Sequence, residues 1–245
     1  DPDVVGGEAE ELPYALPNML VEYVRQEPPG IPTGFWRGVG PTHNVFVVES
    51  FIDELAAAAK KDPVEYRRAL LGTSPRAKAV LELAAEKSGW GQPLPAGRGR
   101  GVSVQFVFGS YVAQVAEVQV DKNGEVRVTR VVCAVDCGVV VNPDTVKAQI
   151  EGGVMFGLAA ALFSEITVKN GRVEQSNFND YRMLRMNEAP AIEVYLVKSG
   201  EAPGGIGEPG TSALAPALTN AIFAATGTRI RKLPVNRVEL RSAKL

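Results

Sequence analysis

Two β-rich stretches, Val102 to Val120 and Glu125 to Val135, are joined across Asn123-Gly124, a dipeptide that closes tight hairpins because both residues accept positive φ. That signal commits the centre of the chain to antiparallel pairing. A second hairpin signal, Asn170-Gly171, lies between Ile166 to Val168 and Arg172 to Glu174, and Ala191 to Val197 alternates like a strand. Helix signals surround these strands. Beyond Pro41, a helix from about Thr42 carries Val45, Val48, Phe51, Ile52 and Leu55 at spacings of three and four, the stripe of a core face. Asp62-Pro63-x-Glu65 supplies a cap, a first-turn proline and a capping-box acid, with Gly72 beyond the end. Ser74-Pro75 repeats that pattern for a helix to about Lys87, and Asn142-Pro143 caps one from about Asp144 to Ala161. Leu16 to Val24 reads as a further strand, Asp1 to Glu11 as an acidic arm or severed connection, and Gly91 to Gly101 as a linker. Strands and helices without regular βαβ alternation predict an α+β architecture of mixed sheets with packed helices, divided into residues 1–100 and 101–245.

With 245 residues, 45% of them hydrophobic, the chain can bury the core of one large or two modest domains. A net charge of -2 carries no basic footprint for nucleic acid or an anionic membrane surface. No apolar run reaches membrane-spanning length and no signal peptide is visible; a start at Asp1 rather than Met reads as a processed product or an excerpt. Cys133 and Cys137 are the only cysteines and His43 the only histidine, which excludes a zinc site of the usual type and a disulfide framework. The two cysteines lie in a valine-rich strand and read as buried, inert thiols.

Three places carry residues suited to chemistry. In Ala202 to Gly227, glycines at 204, 205, 207 and 210 and the stiff Pro209 surround one carboxylate, Glu208, before an Ala/Leu-rich helix expected to be capped by Thr211 or Ser212. A helix N-terminus favours negative charge, so Glu208 is expected to stay ionised and available as a base. The plainer reading is a tight connection with a solvated glutamate. Gln149 sits on a helix ahead of Gly152-Gly153, and a mid-helix glycine costs about 1 kcal/mol against alanine, so the pair wants close packing or a ligand. Gln149 alone also suits an ordinary helix surface. Trp36-Arg37-Gly38 places a guanidinium where it can bind an oxyanion or a planar substrate, or simply stack as a structural arginine. A nucleotide-phosphate reading of GGIGEPG fails, for it has neither the G-x-G-x-x-G spacing nor the lysine of a phosphate loop.

Taken together, GFWRGVGPTHNVFVVESFIDELA, VVCAVDCGVVVNPDTVKAQIEGG and APGGIGEPG resemble the C-terminal part of the molybdenum-binding large subunit of the xanthine oxidase family of molybdenum hydroxylases. The isoquinoline 1-oxidoreductase type of beta subunit and its aldehyde-oxidising relatives are the nearest pattern. The resemblance implies a hydroxylating oxidoreductase acting on an aldehyde or N-heterocycle with water as oxygen source. Glu208 then matches the general base, Gln149 and Gly207 the cofactor contacts, and Arg37 the residue that orients substrate or stabilises developing negative charge. It also implies a molybdopterin cofactor in the cytosine dinucleotide form, with molybdenum held through the pterin rather than by a side chain. Family large subunits are several times longer than this chain, and clustered cysteines for iron-sulfur ligation are lacking here. The implied partners are therefore the N-terminal part of the molybdenum subunit, a small iron-sulfur subunit, and a cytochrome c or flavin subunit. Periplasmic placement follows from the same resemblance, with the cytoplasm as the alternative. A reading of another class is a noncatalytic assembly or interaction module whose loops only dock a partner.

Overall fold

The computed structural model describes residues 12–241, apart from 23, 25 and 27–29. Three helices come first: α1 (Val39–Ala58), α2 (Pro63–Leu70) and α3 (Pro75–Ser88). The strands β1 (Arg98–Val107), β2 (Ser110–Val120) and β3 (Val126–Asp136) form an antiparallel meander, and β6 (Ala191–Leu196) joins β3 in parallel to complete a sheet of order β1-β2-β3-β6. Between them lie α4 (Pro143–Leu162) and the small hairpin β4 (Val168–Lys169) and β5 (Arg172–Val173). After β6 come α5 (Pro209–Ser212), α6 (Leu214–Thr226) and α7 (Arg237–Leu240). This is the mixed helix-and-sheet architecture the sequence predicts.

The sheet is buried on both faces, which is why its strands are near-continuous valine runs. Alternate residues serve opposite faces. Val102, Val104, Ala113, Val115 and Ala134 meet Ile52, Val64, Leu71, Val80 and Leu81 from α1 to α3. Val112, Ala116, Val131, Cys133 and Val135 meet Ile150, Val154, Leu158, Leu214, Leu218 and Ile222 from α4 and α6. Each such leucine or isoleucine stabilises the fold by about 1.5–3 kcal/mol on burial.

Local signals fare unevenly. Asp62 caps α2 through Val64 N and Glu65 N, and Asn142 caps α4 through Asp144 N and Thr145 N. The stretch Val102 to Val120 is two strands, not one, because Phe108 (φ 52) and Gly109 (φ 77) turn the chain between Val107 and Ser110. The helix expected from Thr42 starts at Val39, where Gly38 at φ 96 releases the chain into the first turn and Pro41 falls among amides that have no intrahelical partner in any case. The linker ends earlier than expected, for Arg98 to Gly101 already belong to β1. There a Cβ on Gly101 would run into the α6 backbone at Ala217 and Ala221, so helix and strand meet main chain to main chain.

Leu16 to Val24 is not a strand among its described residues. Ala15 N donates to Leu70 O, but no ladder follows, and Leu20 and Val24 stay 81% and 76% exposed. An apolar stretch makes a strand only where a sheet edge receives it. The acidic arm Asp1 to Glu11 lies outside the described residues. Among the described residues no helix is long and apolar enough to cross a membrane.

A buried ionic cluster ties the two helical layers to the sheet. Glu49 Oε2 accepts from Arg67 Nε at 2.9 Å and from Val104 N at 2.9 Å, while Oε1 accepts from Tyr14 Oη at 2.6 Å. Burial, reinforced by the Glu49 charge, pushes the Tyr14 phenol well above its usual range, so it donates as a neutral hydroxyl. Asp53 completes the cluster with Arg229 Nη1 at 2.6 Å.

Candidate functional site

The site is a loop set down on the sheet from several directions. Asp136, the last residue of β3, accepts from Arg76 Nε at 2.8 Å and Nη2 at 2.7 Å and from Gly138 N at 3.1 Å. The Arg76 hydrogen bonds hold its carboxyl below the usual carboxylate range, although burial opposes them. Gly138, at φ 72, makes a turn so close to the next segment that a Cβ would strike Ala202 O. Val139 N then donates to Glu201 O and Gly204 N to Cys137 O, both at 2.9 Å. The Asp-Cys-Gly turn thus fixes where the glycine-rich loop begins.

From Gly205 onward the loop's carbonyls find side-chain donors. Ser110 Oγ donates to Gly205 O at 2.7 Å, Gln105 Nε2 to Pro209 O at 2.6 Å, Gln114 Nε2 to Gly210 O at 3.0 Å and Ser103 Oγ to Ala213 O at 2.6 Å. Arg37 closes the set, with Nε and Nη2 on Gly207 O at 2.9 and 2.6 Å. Glu208 occupies the N-cap position of α5, and Thr211 N returns to Glu208 O at 2.8 Å. Thr211 and Ser212 were the expected caps; both lie inside α5, 2% and 0% exposed, and Ser212 Oγ binds Gln105 Oε1 at 2.7 Å. The helix begins earlier than its hydroxyls suggest because Pro209 presets the first turn.

Helix α4 lies against this loop through its glycines. A Cβ on Gly153 would sit 3.0 Å from Gly210, and one on Gly157 would sit 2.8 Å from Thr211 O. Gly152 faces open space instead. The glycine pair therefore divides its work, Gly153 permitting contact and Gly152 leaving main chain open to an approaching group. Gln149, one turn earlier and half-buried, places Nε2 3.7 Å from where a Gly207 Cβ would be. Four residues singled out by the sequence thus meet at one point: Arg37 on the Gly207 carbonyl, Gln149 beside its Cα, and Glu208 next in the chain.

Trp36 stacks on Phe156 of α4 with ring centroids 4.8 Å apart, and the Arg37 guanidinium lies 5.9 Å from the same ring. Beyond them a cavity of about 430 Å³ is walled by Trp36, Phe46, Gly157, Ala161 and Thr211, with His43 and Arg231 beside it. Among the described residues the buried Thr211 hydroxyl and the Gln114 Oε1 have no hydrogen-bond partner. Glu208 and Gln149 side chains have none among the described residues. Cys133 and Cys137 are buried free thiols, each pushed up by burial, and take no part in the loop through their side chains. Among the described residues no group of three or more His, Cys, Asp or Glu is arranged to hold a metal ion.

Sequence reasoning passed over Ser103, Gln105, Ser110 and Gln114. The available signal is polar residues set into valine runs, VSVQFV and YVAQV, in strands whose two faces are both covered. A buried amide in such a strand requires a partner.

Comparison with known proteins defines the class. Residues 45–190 match the molybdopterin cofactor-binding domain family, and the chain belongs to it. It is 41% identical over 206 residues to isoquinoline 1-oxidoreductase subunit beta of Brevundimonas diminuta, covering 82% of this chain and 26% of that protein. It is 36% identical over 227 residues to a membrane-bound aldehyde dehydrogenase (pyrroloquinoline-quinone) of Gluconacetobacter polyoxogenes, covering 84% of this chain and 29% of that one. The fold recurs in quinoline 2-oxidoreductase from Pseudomonas putida, with a TM-score of 0.74 over 85% of this chain and 52% of the other at 13% identity. The chain spans under a third of the length of both curated relatives. Gln149 falls within the family match, while Arg37 and Glu208 lie on either side of it.

Proposed function

We propose that this chain supplies one wall of the molybdenum centre of a hydroxylating oxidoreductase that oxidises an aldehyde or N-heterocycle with water as oxygen donor. The observation that carries this reading is the convergence of Arg37, Gln149 and the Glu208 backbone on Gly207. The residues fit a pterin: Gln149, beside Gly207, offers an amide that both donates and accepts, and Gly152 in the next turn of its helix faces open space. When bound, the cofactor supplies a two-electron acceptor, in the cytosine dinucleotide form and with molybdenum held through the pterin.

Within that reading Glu208 takes a proton at its carboxylate from the water-derived nucleophile, a task that suits a carboxylate on a rigid loop. Arg37 serves in two ways. Its Nε and Nη2 fix the peptide before Glu208, and its Nη1, without a hydrogen-bond partner among the described residues, can meet developing negative charge. The remainder of the molybdenum subunit closes the other side of the cofactor. A small iron-sulfur subunit and a cytochrome c or flavin subunit carry electrons away.

The test is metal and cofactor analysis of the natively purified assembly. About one molybdenum per complex, with a released pterin dinucleotide, supports the reading. Pyrroloquinoline quinone in its place, suggested by the name of the Gluconacetobacter relative, or neither group, would contradict it and favour the docking-module reading.

A further inference from the structure

The carbonyls of both neighbours of Glu208 are held by side chains from elsewhere: Gly207 O by Arg37 and Pro209 O by Gln105. Gln105 is 2% exposed, and its own amide is oriented at the far end by Ser212 Oγ, from the same short helix that Glu208 opens. Its register on β1 explains how it reaches. Ser103 and Gln105 are two residues apart on one strand and face the same way, and Gln114 on β2 stands opposite Ser103. Three buried polar side chains therefore rise from the hairpin beneath α5, each ending on a different carbonyl, at Ala213, Pro209 and Gly210.

A four-residue helix cannot satisfy these carbonyls within itself, so the donors are needed for folding. Simple satisfaction, however, does not demand a two-ended bond. Gln105 links the carbonyl after Glu208 to the hydroxyl three residues further on, so the amide sets the rotation of the whole α5 turn relative to the sheet. Among the described residues Gln114 leaves its Oε1 without a partner and reaches the turn through Gly210 O.

We infer that Gln105 is a positioning residue for Glu208, holding the α5 turn so that the carboxylate is presented in one place, with Ser212 as the second member of the device. This rests on the reading of Glu208 as the base. Gln105→Met, of similar length and without a donor, and the milder Ser212→Ala test it in the complete complex. Two quantities are read: hydrogen exchange of the amides of 204–213 against those of β3, and steady-state kinetics. The expected result for Gln105→Met, which removes both the donor to Pro209 O and the acceptor for Ser212 Oγ, is unchanged molybdenum and pterin content, faster exchange confined to 204–213, and kcat lowered about tenfold or more at unchanged KM. Ser212→Ala is expected to move both in the same direction by less. Unchanged exchange at 204–213 in folded variants would overturn the inference. So would equal acceleration in β3, which would make Gln105 merely structural. Faster local exchange with full turnover would also overturn it if a Glu208→Gln control is inactive. If that control is active too, the base reading itself has failed, and the two failures are thereby told apart. Should Gln105→Met not fold, Ser212→Ala carries the same comparison.

Discussion

Two polar regions of this molecule are built to opposite plans. Around Glu49 and Arg67, both about 99% to fully buried, every charge has an ionic or hydrogen-bonded partner: Tyr14, Val104 N, Asp53 and Arg229 complete the set. Around Glu208 the backbone is held just as firmly, through Gly205, Gly207, Pro209, Gly210 and Ala213, but the Glu208 and Gln149 side chains are left without partners among the described residues. The first region spends its polar groups on joining α1, α2, β1 and the segment after α6. The second spends them on the main chain and keeps a carboxylate and an amide in reserve. A site that must bind a cofactor and move a proton needs the second plan, for a base already consumed by an ion pair has lost its reactivity.

The contrast is broken most severely at Glu49. Glu49→Leu removes the closest counter-charge of buried Arg67, leaving it only Asp53 at 3.6 Å, which is shared with Arg229, and is expected to cost about 3–5 kcal/mol, read as a lower midpoint in denaturant unfolding. A loss under 1 kcal/mol would show that the cluster is not the fold's polar anchor. Arg37→Ala makes the opposite test. It is expected to leave stability and molybdenum content close to wild type while turnover falls roughly hundredfold, because the Gly207–Glu208 peptide loses two donors. Loss of molybdenum instead would recast Arg37 as a structural residue.

A smaller effect is expected with acid. The folded-state pKa of Asp136 lies below its ordinary value, chiefly because Arg76 hydrogen-bonds the ionised form. Its contribution is therefore present above about pH 4, the unfolded value, and is lost as pH falls through the folded value. Stability measured from pH 6 down to pH 3 should fall more steeply in the wild type than in Asp136→Asn, with the loop beginning at Ala202 the first part to loosen. Parallel curves would exclude Asp136 as the acid-sensitive tie.

The same contrast explains what the sequence could disclose. Caps at Asp62 and Asn142, the Asn123-Gly124 and Asn170-Gly171 turns, and the valine strands are local patterns, and the elements they predict form within a few residues of their expected ends. Arg37, Gln149, Gly207 and Glu208 were legible as odd residues in glycine-rich settings, and the structure brings them together. The clamps were not legible, since Gln105 and Pro209 stand 104 residues apart and nothing local announces the bond. Ser212 misled for the same reason, since a buried hydroxyl bound to a distant amide looks, in sequence, like a cap, and the buried Thr211 beside it looks the same. Leu16 to Val24 has an apolar pattern without a sheet edge to receive it.

The most direct measurement is turnover of Glu208→Gln in the complete complex, with molybdenum and pterin content measured on the same sample. The substitution keeps the size of the side chain and removes its capacity to accept a proton. The account predicts cofactor content equal to wild type and kcat lowered by about 10²–10⁴-fold, the range for a lost general base. Full turnover with the cofactor in place would contradict it and return Glu208 to the status of a loop residue.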